Sequence, residues 1–216
     1  MTSASYQIRE CRNPQCRLRY PLVQGASFGD RCPRCLGDTV VVLEGRVASS
    51  DGIHAGRVRG ATGLEALLDN VRSALNVGSI FRTAEGLGLA HIYLAGITPT
   101  PEDTEIRRTS LGAERQVAWS WHPNALGLLP ALRERRYKIW ALENAPEANV
   151  LDSRDLTWAG STQAVIVVGN EVTGVDPGIL SVADRVVRLS MRGRKASFNA
   201  AVAFAIAAYL LTTAWP

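Results

Sequence analysis

From Leu64 onward, short apolar runs alternate with stretches of helical spacing. Leu64 to Asn70 reads as a strand, followed by a loop and a helix from about Gly78 to Leu87. His91 to Ala95 is a short β-rich run, and Asn124 to Arg136 has helical spacing before a strand at Lys138 to Leu142. The run Ala164 to Val168 is uninterrupted and mostly β-branched, as expected for a strand covered on both faces of a parallel sheet. Pro177 to Ala183 then gives a short helix with proline near its start, Arg185 to Leu189 another strand, and Ser197 to Thr212 a final helix. This order predicts an α/β fold on a mostly parallel sheet, with ligands bound in the loops beyond the carboxyl ends of the strands.

The first quarter of the chain is patterned differently. All four cysteines lie there, as Cys11-x4-Cys16, fifteen further residues, then Cys32-x2-Cys35. Two close pairs separated by a hairpin-length segment bring four thiolates to the corners of a tetrahedron, which suits a structural Zn(II) site. Cys32-Pro33-Arg34-Cys35 has the form of a metal knuckle, and Asn13 and Pro14 supply the turn of the looser first pair. A unit of this size has too little core to fold alone, so the metal would supply its folding energy. Two disulfides or four unrelated thiols are the alternatives. Val40 to Leu43 reads as the closing strand of a zinc ribbon over residues 1–45, residues 46–63 as a linker, and residues 64–216 as the main domain.

With 216 residues, 46% hydrophobic and 20% charged, the chain is long enough for one substantial core and a small appendage. It lacks the bias of a disordered or collagen-like chain. Met1 to Glu10 is polar and carries no apolar signal segment. The longest apolar stretch, Ala200 to Leu211, is shorter than the roughly 20 residues of a membrane span. No cysteine follows Cys35, so disulfides do not hold the main domain, and a cytoplasmic protein with no membrane partner is expected. The formal charge of +4 is unevenly placed: residues 1–60 hold nine arginines against five acids, and residues 61–216 fifteen bases against fifteen acids. Of the 24 basic residues 22 are arginine, whose planar fork suits phosphate and base stacking. A solvated surface is the bland explanation, yet the placement beside the cysteines points toward a polyanion partner.

No G-x-G-x-x-G follows a strand and no phosphate-binding G-x-x-x-x-G-K-[ST] is present, so the usual dinucleotide and nucleotide readings fail. Three other loops carry chemistry. In the first, Asp69 to Gly86, Asn76 is placed to cap the coming helix, Gly78 lets the backbone turn closely, and Arg82 lies one turn further on, toward the same cleft. The second is Gly169-Asn170-Glu171-Val172-Thr173-Gly174, where a carboxylate between glycines at a strand end is hard to explain by packing. The third sets four basic residues, Arg188, Arg192, Arg194 and Lys195, just before a helix whose first turn holds Ser197 and Asn199. Each alone is explicable as a cap or turn, but three together, each after a strand, make a site.

Asn76-x-Gly-x3-Arg82, Gly169-Asn170-Glu171 with Gly174, and Met191 with Ser197-Phe198-Asn199 resemble the three signature motifs of the SpoU (TrmH-type) RNA ribose 2'-O-methyltransferases of the SPOUT superfamily. Arg108 to Ala113 resembles a further family feature, and the likeness covers about residues 64–214. It implies S-adenosylmethionine as methyl donor, tRNA or rRNA as substrate, a C-terminal trefoil knot and a homodimer. It further implies that Arg82, Glu171, Ser197 and Asn199, supported by Asn76, stand at catalytic or site-ordering positions. Gly169, Asn170, Leu189, Met191 and Phe198 would then hold the cofactor, and the basic loop would meet the RNA backbone. A guanidinium stays protonated, so Arg82 is better suited to clamp the neighbouring phosphate and stabilise alkoxide charge than to act as base. Glu171 would orient that arginine or the loop. Tyr20 and Phe28 of the ribbon are equally readable as stacking residues for looped RNA or as ribbon core. His54, His91 and His122 match no motif. A non-catalytic RNA-binding protein on this fold and a base-nitrogen RNA methyltransferase are the competing functions.

Overall fold

The computed structural model describes residues 5–23, 25, 30–46, 63–152 and 163–213, so Phe28, His54 and residues 47–62 of the linker lie outside the described residues. The chain divides into two compact units, Met1–Val58 and Arg59–Pro216.

The first unit is a three-stranded antiparallel sheet of β1 (Ser5–Cys11), β2 (Arg19–Val23) and β3 (Thr39–Arg46), in the order β2-β1-β3. Only part of β3 was expected from the sequence, because β1 and β2 carry mixed polar residues rather than an alternating apolar pattern. Tyr6 fills the place of a missing side chain on β3. A Cβ on Gly45 would lie 2.6 Å from the Tyr6 ring, so the ring packs on bare backbone. Arg9 is buried in this sheet, where its Nε donates to Thr39 Oγ1 at 2.8 Å and its Nη1 to Gln7 Oε1 at 2.8 Å, with Asp30 at 3.3 Å as counter-ion.

The second unit holds a seven-stranded sheet, all parallel, in the order β6-β5-β4-β9-β7-β10-β8. Its strands are β4 (Leu64–Asp69), β5 (His91–Ala95), β6 (Ala118–His122), β7 (Lys138–Leu142), β8 (Asn149–Val150), β9 (Ala164–Val168) and β10 (Arg185–Arg188). The two-residue period divides the core. On one face Leu64, Ala66, Leu68, Ala164, Ile166 and Val168 pack with Val77, Ile80, Phe81 and Ala84 of α1 (Ala74–Leu87) and with Phe204, Ala207, Ala208 and Leu211 of α5 (Ala200–Thr213). On the other, Leu67, Ile139, Ala141, Val165 and Val167 pack under α3 (Ala125–Glu134) and α4 (Pro177–Val182). A short α2 (Thr104–Ser110) lies against α1.

Several boundaries differ from the sequence reading. α1 begins four residues early, at Ala74, and its N-cap is Ser73 rather than Asn76. Gly78 lies inside that helix and not in a turn: a Cβ there would stand 2.7 Å from the Ile106 carbonyl oxygen and 2.8 Å from Thr109 Cβ, so glycine permits α1 and α2 to touch. β4 ends at Asp69 because Asn70 adopts a left-handed φ of 58°. α5 starts at Ala200, and Ser197 and Asn199 precede it. On the outer side of α5, Val202 and Tyr209 are 47% and 58% exposed. α2, β6 and β8 were not foreseen.

Glu65 is 3% exposed and accepts the hydroxyls of Tyr93 and Tyr137, each at 2.7 Å, with Arg135 at 3.2 Å. His91 and His122, which match no motif, meet through the Ser120 hydroxyl at 2.9 and 2.8 Å.

Candidate active site

The loops leaving β7, β9 and β10 at their carboxyl ends enclose a cleft of about 380 Å³, within the roughly 300–1,000 Å³ usual for small-molecule sites. Gly169, Asn170, Leu189, Met191 and Phe198, expected from the sequence to hold the cofactor, all line it, as do Glu171, Ser197 and Asn199. Arg82 and Asn76 do not. Asn76 is 8% exposed and reaches the cleft only through its neighbours, whereas Arg82 is exposed on α1. Within its own chain Arg82 therefore stands outside the residues that line the cleft.

Glycine is obligatory at the head of the second loop. A Cβ on Gly169 would lie 2.2 Å from both Gly174 C and Val175 N, so backbone packs on backbone there. Asn170 ties the loop to itself: its Oδ1 accepts Val172 N at 2.9 Å and Thr173 N at 3.2 Å, and its Nδ2 donates to Asn70 O at 2.8 Å. Its side chain therefore shapes the wall, while its backbone N donates to Gly174 O at 3.0 Å and its O accepts Gly174 N at 2.9 Å, closing the loop on itself.

The three motifs meet in one chain of hydrogen bonds. The Glu171 carboxylate accepts Arg72 N at 2.9 Å, Ser73 N at 3.0 Å and Asn76 Nδ2 at 2.8 Å. Asn76 Oδ1 accepts Asn199 Nδ2 at 2.9 Å, and Asn199 Oδ1 accepts Ala201 N at 3.0 Å and Val202 N at 3.3 Å, capping α5. A carboxylate can only accept and a backbone N–H can only donate, so both amide orientations are fixed from the two ends. Partial burial pushes the Glu171 carboxyl up, but the donors on Arg72, Asn76 and Ser73 outweigh it and hold it below the usual carboxylate value. Glu171 is thus ionised at neutral pH and a weak base.

Two lining residues had no sequence signal, Glu143 and Asn144 at the end of β7. Asp69 ends β4 and opens the first loop. It is 3% exposed, accepts Asp176 N at 2.9 Å and Asn70 Nδ2 at 2.8 Å, and is raised above the ordinary value, mainly by burial.

In the first unit the four cysteine sulfurs lie within 4.8 Å of one another, with Cys11 to Cys35 at 3.4 Å and Cys16 to Cys32 at 3.7 Å. Bonds of about 2.3 Å from a central zinc to four sulfurs give a tetrahedral edge of about 3.8 Å, so the donor set fits. All four are free thiols. Tyr20 is half-buried, and its hydroxyl donates to Arg31 O at 3.0 Å.

Among solved structures, the fold resembles a TrmH/SpoU tRNA modifying enzyme of A. aeolicus, with a TM-score of 0.62, 26% identity, and coverage of 70% of this chain and 75% of that one. It also resembles an AdoMet-bound rRNA methyltransferase of Sinorhizobium meliloti, with a TM-score of 0.63, 27% identity, and coverage of 69% and 56%. In sequence it is 28% identical over 143 residues to a tRNA (guanosine(18)-2'-O)-methyltransferase of Thermus thermophilus, covering 66% of this chain and 71% of that protein. It is also 28% identical over 148 residues to the 23S rRNA (guanosine(2553)-2'-O)-methyltransferase RlmP of Bacillus subtilis, covering 67% and 56%. Residues 63–209, well over half the chain and nearly all of its second unit, match the SpoU rRNA Methylase family, and the protein belongs to that family.

Proposed function

We propose that this protein transfers a methyl group from S-adenosylmethionine to a ribose 2'-hydroxyl of structured RNA, either tRNA or rRNA. The observation that carries the reading is the Glu171–Asn76–Asn199 chain, which joins three distant motifs at the mouth of one cleft. S-adenosylmethionine, when bound, supplies an electrophilic methyl on a sulfonium. The protein's part is to hold the donor, aim the 2'-oxygen in line and stabilise its developing charge. Backbone groups around Gly169, Leu189 and Phe198 hold the cofactor, Ser197 and Asn199 stand at its rim, and Glu171 fixes the loop rather than taking the proton. Arg82 clamps phosphate. The trefoil implied by the family would lie between β7 and α5, where the chain leaving β10 passes the β7 loop and returns to pack on β4, β7 and β9. Labelled methyl transfer to total tRNA and to rRNA, followed by alkaline hydrolysis, tests the reading. Label in alkali-resistant dinucleotides is expected. Label on a base would make it a base methyltransferase, and donor binding without transfer to any RNA would leave a binding protein.

We further propose one structural zinc per chain, held by Cys11, Cys16, Cys32 and Cys35, in a ribbon that contributes to RNA binding through its arginines. Metal analysis is expected to find one equivalent, and Cys32→Ser to lose the metal and weaken RNA binding. Zinc well below one equivalent overturns the metal assignment, and unchanged RNA affinity at physiological salt overturns the ribbon's role. The cytoplasm, where thiols stay reduced and both RNAs are found, is the compartment this reading requires.

The homodimer is proposed on α5. Val202, Ala205, Ile206 and Tyr209 recur at i, i+3, i+4 and i+7 as a partly exposed apolar stripe, and the last three, with Leu210 and with Thr83, Gly86 and Leu87 of α1, line a shallow apolar depression. A second copy would cover it. Light scattering at micromolar concentration is expected to give twice the 23.3 kDa chain mass, and Tyr209→Glu to shift it toward the monomer. A monomer mass for the unaltered protein refutes the dimer.

A further inference from the structure

Glu143 and Asn144 follow β7 directly and belong to none of the three motif loops, yet they touch two of them. The Glu143 carboxylate accepts Val175 N on Oε2 at 2.8 Å and Asn144 N on Oε1 at 2.9 Å. Gly174 lies against the same group: its φ is 75°, and a Cβ there would stand 2.3 Å from Glu143 Oε2. Glycine at 174 therefore meets two demands, a left-handed backbone and room for this carboxylate. On its other side Asn144 Nδ2 donates to Ala196 O, in the third loop, at 2.7 Å. The Glu143 backbone is anchored in turn, its N donating to Val187 O of β10 at 2.9 Å.

Sheet order explains why these two residues occupy this place. The second loop leaves β9 and the third leaves β10, and β7 runs between them. Only the end of β7 stands next to both. Glu143, Asn144, Gly174 and Ala196 all line the cleft, so the contacts lie on its walls rather than in the core.

We propose that Glu143 and Asn144 form a clasp that holds the second and third loops at the separation the methyl donor requires, making both of them positioning residues for S-adenosylmethionine. This rests on the methyltransferase reading. A clasp of this kind acts on donor affinity and leaves the reacting groups alone, so it raises the donor KM with kcat nearly unchanged.

The test is calorimetric titration of the full chain with S-adenosylmethionine, beside steady-state kinetics and thermal melts. Glu143→Ala is expected to bind the donor about 10- to 100-fold more weakly, the equivalent of one charge-assisted hydrogen bond. Glu143→Gln keeps one acceptor oxygen and is expected to recover part of that loss. Asn144→Ala is expected to weaken binding about three- to tenfold, as loss of one neutral hydrogen bond does. RNA KM and saturated kcat stay near those of the unaltered enzyme. Should Glu143→Ala fail to fold, Asn144→Ala decides, because it removes a single bond to an exposed carbonyl. Unaltered donor affinity in the variants that fold overturns the clasp alone. Parallel losses in donor KM, RNA KM and kcat, with glutamine no better than alanine, reduce it to an ordinary fold contact and also overturn it. Failure of the unaltered protein to bind the donor overturns the methyltransferase reading and the clasp with it.

Discussion

Arg82→Ala is expected to lower turnover by about 10²- to 10³-fold, the loss that accompanies removal of one donor to a developing oxyanion. Donor affinity is expected to stay unchanged, because Arg82 does not line the cleft of its own chain. Arg82→Lys keeps the positive charge and loses the bidentate fork, so it should fall between the two. The pH profile separates clamp from base. A fixed cation lowers the whole curve and keeps its shape, whereas an arginine acting as base would move the alkaline limb when lysine replaces it. A clear shift of that limb in Arg82→Lys, at saturating RNA and donor, overturns the clamp.

The location of Arg82 adds a second expectation. On α1 it adjoins Thr83 and lies one turn before Gly86, both of which border the apolar depression beside the α5 stripe. Pairing of two chains through that face would carry each Arg82 toward its partner. The clamp is then expected to act across the dimer. Mixing the impaired Arg82→Ala chains with the impaired Glu171→Gln chains should raise activity above that of either alone, since one site of each mixed dimer combines an intact cleft with an intact arginine. No recovery after subunit exchange returns Arg82 to its own chain's cleft.

What the sequence disclosed and what it hid follow from the same physics. β5, β7 and β9 were read with correct ends because strands covered on both faces are short continuous apolar runs. β6 was missed because an edge strand that alternates tryptophan with serine and histidine carries no such run. α2 was missed because in seven residues it buries only Ile106 and Ser110. The start of α1 was misplaced because Asn76 is a buried polar residue whose partners, Glu171 and Asn199, lie 95 and 123 positions away. The motif loops were legible from residue type at strand ends. Glu143 was not, since its contact with Val175 spans 32 residues and the reason for it, β7 lying between β9 and β10, is a fact of sheet order.

Glu171→Gln tests whether the three motifs act as one unit. Three donors converge on the carboxylate, and an amide must turn its own NH₂ toward at least one of them. Either the Arg72–Ser73 turn loosens or Asn76 is released. If Asn76 reverses, its NH₂ faces that of Asn199, which must then leave the α5 N-terminus or lose its link to the first motif. Displacement of the rim by about 1 Å is enough to cost roughly 10² in turnover, and that is the expected loss. The pH dependence of stability carries the sign of the effect. Since the folded carboxyl lies below its ordinary value, its stabilisation is complete above the unfolded value near about 4.3 and is lost as pH falls through the folded one. The difference in melting temperature between the unaltered protein and Glu171→Gln should therefore be full at neutral pH and shrink in acid. Between about pH 6 and 9 Glu171 stays ionised, so the unaltered enzyme should show no acid limb that glutamine abolishes. Such a limb, removed by Glu171→Gln while melting temperature stays constant, would make Glu171 the proton acceptor and dismiss its role as the anchor of the Asn76–Asn199 chain.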